Sequence, residues 1–599
     1  MRGLAHGTLR GMSMPRRSPR SLPSLRSLRV SLAPVALVAG LVAACGDDTS
    51  QETATAGESE GGSGTAGTGT TGTTGTASAA SESDSGASNS GGGVCTPGEQ
   101  DGCAPGICPE GQGTQTCDAN GQWGGCECPG VHYCGDGAID PGEECDDGED
   151  GNGDDKACTS TCAAATCGDG LVHAGVEACD DGVNDGAYGG CMPGCAALGP
   201  RCGDGVTNGQ ESCDDGDDLQ GNGCNVDCKV SGSEVWTRTY DGEDAGDAIA
   251  HGVAVDAAGN VIVVGEQFVV GQSANMWFAK YTSEGDLLWT KTVVGAGAGI
   301  DVARAVAVGA DQAIVAVGEL AVQGKGGNLW VQKMDGAGKE VWTQTYDGLA
   351  SLGDSGNGVA IDPAGNIYVG GSHYELIGLD NAVVRKYDAD GNLLWSDVYD
   401  HKAGIDKVHA IAVTPDDQVV AVGEVYEPIG LANLYLRKYA ADGAKVWTKT
   451  YDQAKGNDIA RGVAVDPEGK IILAGEVYEP AGLSNIVVRK YDGNGDPLWS
   501  DVVNSAGADN DIGRAVALAP DGTIVVSGQE YTANDFAGVW VQKYTVDGGA
   551  MWTHAYDGPA AGDDIARAVA VSSDGYVYAA GQEYQVGQFA TLWLRKLNP

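Results

Sequence analysis

Cysteine is the residue type whose number and spacing in this 599-residue chain could do the most chemistry. Of its 19 Cys residues, Cys45 stands alone, and the others all lie between Cys95 and Cys228. An even number of closely spaced Cys in a chain that leaves the cytoplasm predicts disulfides. Zinc is the alternative, but it usually takes Cys-x2-Cys or His spacing and needs reduced thiolates. We see neither, so we predict that every Cys after Cys45 is oxidised.

These later Cys residues fall into modules with even counts. A six-Cys module at 94–130 holds Cys95, Cys103, Cys108, Cys117, Cys126 and Cys128. Three four-Cys repeats follow within 131–229, and they hold Cys134, Cys145, Cys158, Cys162, then Cys167, Cys179, Cys191, Cys195, then Cys202, Cys213, Cys224, Cys228. The even counts predict disulfides inside modules. Each repeat opens with Cys-Gly-Asp-Gly, carries Cys-Asp-Asp-Gly and closes on Cys-x3-Cys. Over 134–228 the repeats resemble the myxobacterial cysteine-rich repeat of surface proteins.

Acidic residues recur in the same three repeats. They are Asp136, Asp146 and Asp147, then Asp169, Asp180 and Asp181, then Asp204, Asp214 and Asp215. Carboxylates beside Gly turns suit a hard cation such as calcium, but Asp-Gly is also the ordinary chemistry of tight turns. We favour turns, and calcium is the one cofactor that these residues could take. The 8 His residues are scattered without regular spacing and predict no metal site.

The N-terminal residues have the pattern of an export signal. Arg2 to Arg29 is basic, and Val30 to Ala44 is an apolar run that is too short to span a bilayer comfortably. The run ends in Val42-Ala43-Ala44-Cys45, which resembles a bacterial lipobox. The resemblance implies that the signal peptide, 1–44, is removed and that Cys45 is the lipid attachment site. An ordinary signal peptide with a Cys near its end is the alternative.

Residues 45–93 and the overall charge limit what the chain can bind. The segment 45–93 is rich in Ser, Thr and Gly and has no aromatic residue, which predicts a flexible linker that holds the rest of the chain away from the membrane. The formal net charge is −48. Such a surface repels phosphates and anionic headgroups. We therefore expect no nucleic acid partner, and membrane contact through the lipid anchor.

The remaining chain, 234–599, repeats one unit seven times. A Trp recurs every 52 or 53 residues, at Trp236, Trp289, Trp342, Trp395, Trp447, Trp499 and Trp552. A Lys keeps nearly the same steps, at Lys280, Lys333, Lys386, Lys438, Lys490, Lys543 and Lys596. So does a Gly, at Gly265, Gly318, Gly371, Gly423, Gly475, Gly528 and Gly581. Each unit holds four short runs of β-branched and aromatic residues between Gly and Asp turns, which predicts four strands.

Four strands per repeated unit predict an all-β fold, a seven-bladed β-propeller preceded by small disulfide-rich modules and a disordered linker. The units resemble the bacterial SBBP β-propeller repeats over 234–599. A superhelical solenoid is the alternative. The domain begins with the fourth-strand motif at 235–240 and ends with the third-strand motif at 592–597. Pairing the two would close the ring and remove an exposed edge.

Several motifs inside the repeats could suggest catalysis. Gly353-Asp354-Ser355-Gly356 resembles the nucleophile motif of trypsin-like proteases, but the slot of Ser355 holds Val, Lys or Ile in other units. The periodic Trp resembles that of quinoprotein dehydrogenases, which use eight blades. The periodic Lys and the Asp301-type residues could form ion pairs within blades. The residues after the marker Gly could ring one face and offer a cation or partner surface: Glu266, Glu319, Glu424, Glu476, Gln529 and Gln582.

Every residue type suited to chemistry is either repeated in register or lacks useful spacing, so we predict that the chain is not an enzyme. The sequence favours a lipid-anchored binding or scaffold protein of the cell envelope, on the outer membrane and exposed at the surface. Its partner would be a surface protein or a glycan. The alternatives are a propeller-based extracellular enzyme (a lyase, a glycosidase or a quinoprotein-like enzyme) and a purely structural envelope component.

Overall fold

The computed structural model of the chain is built of β-strands and turns, with no helix among the residues that it describes. It describes residues 95–102, 114–127, 134–148, 151–242, 246–270, 273–297, 299–348, 353–375, 379–401, 404–427, 431–453, 456–479, 483–504, 510–531, 536–560, 562–585 and 589–599. Cys45, the signal peptide and the linker lie outside these ranges, as do Cys103, Cys108 and Cys128. The side chain of Cys126 is also outside the description.

The six-Cys module contains a three-stranded sheet in the order β1-β2-β3. Its strands are β1 (Gln100–Gly102), β2 (Thr114–Cys117) and β3 (Trp123–Glu127). A disulfide joins Cys95 to Cys117, and both sulfur-bearing residues are buried. In a module this small, such a crosslink does the work that a larger apolar core would do.

The three four-Cys repeats share one disulfide pattern, in which the first Cys pairs with the fourth and the second with the third. The pairs are Cys134–Cys162, Cys145–Cys158, Cys167–Cys195, Cys179–Cys191, Cys202–Cys228 and Cys213–Cys224. All described disulfides therefore stay within modules. Large apolar residues such as Val183 and Val206 are exposed, whereas the closing Cys residues are buried. The stalk, 134–228, thus uses disulfides as its core, each worth roughly 2–4 kcal/mol.

The recurring carboxylates of the stalk hold its turns. Asp146 accepts hydrogen bonds from the backbone N–H groups of Gly135 and Gly148 at 2.9 and 2.8 Å. Asp180 and Asp214 accept the equivalent amides in the next two repeats. Although desolvation opposes it, these amides lower the pKa of Asp180 to about 2. These hydrogen bonds are the ones that the turn interpretation predicts.

Seven four-stranded antiparallel sheets form the blades. The strand β4 (Glu234–Tyr240) comes first in the chain. Blades 1 to 3 are β5 (Ala248–Val255), β6 (Val261–Phe268), β7 (Ala274–Tyr281), β8 (Leu287–Val293); β9 (Val302–Val308), β10 (Ile314–Ala321), β11 (Gly327–Met334), β12 (Glu340–Tyr346); β13 (Ser355–Ile361), β14 (Ile367–Tyr374), β15 (Asp380–Tyr387), β16 (Leu393–Tyr399). Blades 4 and 5 are β17 (Lys407–Val413), β18 (Val419–Glu427), β19 (Leu431–Tyr439), β20 (Lys445–Tyr451); β21 (Ile459–Val465), β22 (Ile471–Tyr478), β23 (Ser484–Tyr491), β24 (Pro497–Val503). Blades 6 and 7 are β25 (Ile512–Leu518), β26 (Ile524–Tyr531), β27 (Ala537–Tyr544), β28 (Ala550–Tyr556); β29 (Ile565–Val571), β30 (Val577–Tyr584), β31 (Ala590–Leu597), with β4 as the fourth strand of blade 7.

Closure of the ring by its two ends is confirmed. The strand β4 pairs antiparallel with β31, with Tyr240 opposite Leu592 and Trp236 opposite Lys596. The domain is therefore a seven-bladed β-propeller in which no blade is left with three strands. Its second and third strands are almost wholly buried and pack between neighbouring blades.

Antiparallel connection gives each blade two kinds of end. We call the face that carries the connections from first to second and from third to fourth strands the bottom face, and the opposite one the top face. Bottom-face connections are tight turns such as Asp256–Asn260, closed by a hydrogen bond from the N–H of Asp256 to the carbonyl of Asn260 at 2.9 Å. The stalk joins here, because the amide of Gly232 bonds to the carbonyl of Asn598 and Gly232 lies against the indole of Trp552.

Two of the three periodic residues fasten neighbouring blades at the bottom face. The indole Nε1 of Trp289 and the Nζ of Lys280 both donate to the carbonyl of Gly336, which belongs to the turn between the third and fourth strands of the next blade. The same sharing recurs for the pairs Trp236 and Lys596, Trp342 and Lys333, Trp395 and Lys386, Trp447 and Lys438, and Trp499 and Lys490. The periodic Trp and Lys are therefore structural.

Candidate functional site

The third periodic residue, the marker Gly, shapes the centre of the ring. In every blade, the first strand carries a β-bulge opposite this Gly. A Cβ on Gly528 would lie 2.1 Å from the carbonyl oxygen of Ile512, and one on Gly265 would lie 1.9 Å from that of Ile249. No side chain fits there, so only Gly permits the bulge. A bulge leaves one residue without a ladder partner and redirects its side chain.

The seven bulged residues line the central channel and form what we call the channel ring. They are His251, Arg304, Asn357, His409, Arg461, Arg514 and Arg567. The cavity that they enclose has a volume of about 150 Å³. Each residue stands near the start of a first strand, which runs from top to bottom. The channel ring therefore lies in the top half of the channel.

Below the channel ring, the channel wall is apolar. The next residue of each first strand is Gly or Ala, and a Cβ on Gly462 would lie 2.9 Å from the Cα of Ala515, so neighbouring first strands pack closely there. The residue after that is Val, or Ile in blade 4, and these side chains line the lower wall. The polar side chains of the channel therefore lie in its top half.

The predicted ring of Glu and Gln residues surrounds the channel ring, one beside each member except Asn357. His251 shares a hydrogen bond of 3.1 Å with Glu266, and His409 one of 3.3 Å with Glu424. Arg304 donates to Glu319 at 3.3 Å, and Arg461 donates from Nε to Glu476 at 3.0 Å. Every one of these carboxylates is engaged by a channel-ring side chain, so this geometry is not that of an open cation site.

Blades 6 and 7 differ, because their two Arg residues have neutral partners. Arg514 donates from Nε to Oε1 of Gln529 at 3.0 Å, and its Nη2 donates to the same oxygen. Arg567 donates to Oε1 of Gln582 from Nε at 3.1 Å and from Nη2 at 2.7 Å. Two adjacent guanidinium groups therefore line the channel. Among the described residues, no carboxylate contacts either of them.

Burial and neighbouring charges set the protonation of the channel ring. Burial lowers the pKa of His251 and of His409, so both imidazoles are neutral at pH 7. Burial, followed by the charges of Arg567 and Arg461, lowers the pKa of Arg514 to about 9. Burial also lowers the pKa of Arg567. A pKa of about 9 still leaves a guanidinium charged at neutral pH, so blades 6 and 7 present a pair of positive charges.

The predicted pairing of the periodic Lys with Asp301-type residues is wrong. Lys280 pairs instead with Asp256 of the bottom-face turn, at 2.8 Å from Nζ to Oδ2, and Lys490 pairs with Asp466 in the same way at 3.1 Å. Asp301 lies at the top face, where its two oxygens accept the amides of Gly295 and Ala321. The Lys stands near the bottom end of a third strand, so a strand length of roughly 20 Å separates the two.

Ser355, from the protease-like motif, begins the first strand of blade 3. Its hydroxyl bonds to the hydroxyl of Ser372 at 3.1 Å and to Oδ1 of Asn357 at 3.2 Å. Neither neighbour is a base that could take its proton, as a protease triad requires. Asp354 is buried and accepts the backbone amides of Gly348 and Tyr374. The motif therefore belongs to a top-face connection.

The His and Arg members of the channel ring were not foreseen from the sequence. The sequence did contain a signal. In six of the blades the channel-ring residue lies three residues after an Asp301-type residue, as Arg514 lies after Asp511. The flanking residues are Gly, Ala or Val in nearly every blade, while this slot alone changes among His, Arg and Asn. A polar slot within an otherwise buried strand points to a channel, but its orientation depends on the bulge.

The fold and the channel ring define a seven-bladed propeller with a polar central cavity, and a family comparison also finds a β-propeller repeat in the chain. Residues 345–372 match the SBBP family, a beta-propeller repeat. Among solved structures, one titled "Streptogramin B lyase structure" is similar at 13% identity and a TM-score of 0.39, with 61% of this chain and 98% of that chain covered. A protein of unknown function from Dyadobacter fermentans DSM 18053 is similar at 10% identity and a TM-score of 0.38, with the same coverage. No curated protein matches the chain.

The described part of the chain gives one further observation on membranes. Among its residues, no helix combines the length and the apolar character needed to cross a bilayer.

Proposed function

We propose that this chain is a lipid-anchored protein of the cell surface that presents its propeller for binding and catalyses no reaction. The observation that carries the proposal is the division of the propeller into two faces. The stalk joins the bottom face, whereas the channel ring lies in the top half of the channel, away from the stalk. A protein tethered through Cys45 and the stalk would then turn its polar cavity outward.

The top face also has the variation that recognition needs. The segments between its second and third strands differ in sequence and length between blades: blade 4 has Pro428-Ile-Gly430 there, and blade 6 has Thr532-Ala-Asn-Asp-Phe536. Varied loops on a rigid scaffold are the usual location of binding residues. In the channel ring, the side chains that could act as acids or bases are engaged in pairs repeated around the ring, which supports binding over catalysis.

The anchor is tested by changing Cys45 to Ala in cells that produce the full chain. The expected result is release from the membrane fraction or accumulation of the uncut precursor. The full chain with Cys95→Ala is the control, because that variant loses a disulfide partner and keeps the lipobox. Unchanged membrane partitioning and normal processing of Cys45→Ala would contradict the anchor.

Binding is tested with the Cys45→Ala chain as bait, purified in detergent if it keeps its signal peptide, against intact cells and a glycan array. The same sample is assayed for turnover of glycan and ester substrates. We expect saturable binding without turnover. Robust turnover that one substitution in the channel ring abolishes would overturn the binding function in favour of a propeller-based enzyme. Absence of both would leave the structural-component hypothesis.

A further inference from the structure

The channel ring contains one feature that its repetition does not explain. In blades 2 and 5 the channel-ring Arg is paired with a Glu, but in blades 6 and 7 the same position is occupied by Gln529 and Gln582. The blades are otherwise built alike, so the pairing of Arg461 with Glu476 shows that a Glu fits this place. Stability of the ring therefore does not require a neutral partner there.

We infer that Arg514 and Arg567 form a binding site for the oxyanion of an acidic sugar, namely its carboxylate or sulfate group. The inference rests on the proposed function, because it names the ligand class that the outward-facing cavity would take. Each guanidinium uses Nε and Nη2 on its Gln, and within the described residues no acceptor contacts either Nη1. Two neighbouring Nη1 groups can donate to two oxygens of one anion.

The charges at blades 6 and 7 favour an anion there. Two adjacent guanidiniums repel each other, and that repulsion contributes to the lowered pKa of Arg514. A bound anion relieves the repulsion, and its attraction to two partly buried guanidiniums is larger than to fully solvated ones. The net charge of −48 repels anions at long range, but salt screens that repulsion beyond roughly 10 Å. Contact charges therefore decide binding inside the channel.

The size of the cavity limits the ligand. Its volume of about 150 Å³ is well below the roughly 300–1,000 Å³ of pockets for drug-sized molecules. An acid group with part of one sugar ring fits, whereas a folded polymer does not. The channel ring would thus take the acidic end or side group of a larger ligand held above it.

Aromatic residues at the top face supply the surface for the rest of a sugar. They stand at or next to the end of the second strand in six blades: Phe268, Tyr374, Tyr426, Tyr478, Tyr531 and Tyr584. Tyr531 follows Gln529 by two residues and Tyr584 follows Gln582 by two, so each lies about 7 Å along the strand from the Gln that holds its Arg. Tyr584 and Phe268 are exposed over 39% and 40% of their surface. Such rings pack against the apolar C–H face of a sugar.

The test replaces the Gln of blade 6 with the Glu that stands at the same position in blade 5. Gln529→Glu gives blade 6 the Arg–Glu pair of blade 5, so the variant should fold as the original does. Binding of glucuronate, sulfate and glucose to the Cys45→Ala chain is measured by calorimetry at about 0.1 M salt, where the Debye length is about 10 Å. We expect glucuronate and sulfate to bind and glucose to show no binding, and Gln529→Glu to weaken both anions at least 10-fold. Gln344→Glu, at an exposed position of an outer strand, adds the same charge outside the channel and should change affinity less than 2-fold.

The converse variant sharpens the test. Glu476→Gln frees Arg461 and should strengthen sulfate binding about 3-fold or more. Absence of any response to glucuronate and sulfate would overturn the site, whereas binding of sulfate without glucuronate would overturn the carboxylate ligand and support a sulfated sugar. Cell or glycan binding that survives Gln529→Glu unchanged would overturn this inference and leave the proposed function intact.

Discussion

The repeated residues of the propeller serve different purposes at its two faces. At the bottom face, Trp and Lys recur in register and hold neighbouring blades together, and Lys280 bonds both to Gly336 of the next blade and to Asp256 of its own blade. At the top face, a repeated Gly and bulge deliver side chains that are not repeated, such as His409, Asn357 and Arg514. Residues that recur keep the shape, and the one polar slot that varies marks where a ligand would be held.

The largest expected effect comes from removing β4, the strand that completes blade 7 and closes the ring. Deleting 234–240, with the stalk kept and joined directly to residue 241, exposes the edge of β31. We expect the deletion to unfold the propeller or to make it associate, since an unpaired edge pairs with other chains. Thermal unfolding and size-exclusion chromatography check the result. Val235→Thr, at an exposed position of the same strand, should leave both unchanged, and a monomeric deletion variant of normal stability would contradict closure as described.

The next effect should come from the marker Gly, where the two faces are coupled. Gly528→Ala places a Cβ 2.1 Å from the backbone carbonyl oxygen of Ile512, so the backbone must shift. We expect a loss of at least about 3 kcal/mol in the free energy of unfolding. Gly336→Ala is the control, because the nearest atom to its Cβ would be 3.5 Å away. Equal stabilities of the two variants in urea unfolding would show that the bulge does not depend on Gly.

A bottom-face ion pair should affect stability and leave ligand binding unchanged. Lys280→Met leaves the carboxylate of Asp256 without its cation. Because that side chain is only 4% exposed, we expect the free energy of unfolding to fall by about 2–3 kcal/mol. Lys333→Met is the matched variant at the same place in blade 2, where the partner Asp311 is 58% exposed, and it should cost less than about 1 kcal/mol. Urea unfolding measures both. A change in sulfate affinity of either variant would break the division between the faces.

The smallest effect concerns the pH dependence of the channel. His251 faces Glu266, Arg304 and Arg567, and His409 faces Glu424, Arg461 and Lys407. Their pKa values lie below the ordinary 6.5, so they gain protons only in more acidic solution. We expect sulfate affinity to rise a few-fold from pH 7.5 to pH 5. The rise should shrink in His251→Asn, and an affinity that falls on acidification would contradict the assignment of neutral imidazoles.

Much of the fold could be predicted from the sequence because a propeller repeats one unit along the chain. The equal spacing of Trp289, Lys280 and Gly265 in successive units fixed the number of blades, and the offset of the two ends indicated closure. The partner of Lys280 could not be found in this way. Two Asp residues of each blade were available, and only the path of the strands decides that Asp256 is at the same end as the Lys.

The sequence predicted the Glu and Gln residues around the channel ring but did not predict the channel-ring residues themselves. The reason again lies in the path of the strands. Glu266 and its counterparts were expected around one face, since they follow the marker Gly directly. The residues they contact lie 15 positions earlier in the chain, as His251 does from Glu266. In a regular strand, alternation would have assigned them their direction, but a bulge breaks the alternation and is not visible without the strand register.

The strand β4 follows the stalk in the chain and also completes the last blade, which has a mechanical consequence. A force between the proposed anchor and a ligand bound at the top face would act along the axis of β4. It would be perpendicular to the hydrogen bonds that pair β4 with β31. Load in that direction shears the whole ladder from Glu234 to Tyr240 together and does not peel it open one hydrogen bond at a time. The seam of the ring is thus oriented so that tension on the tether meets its greatest resistance.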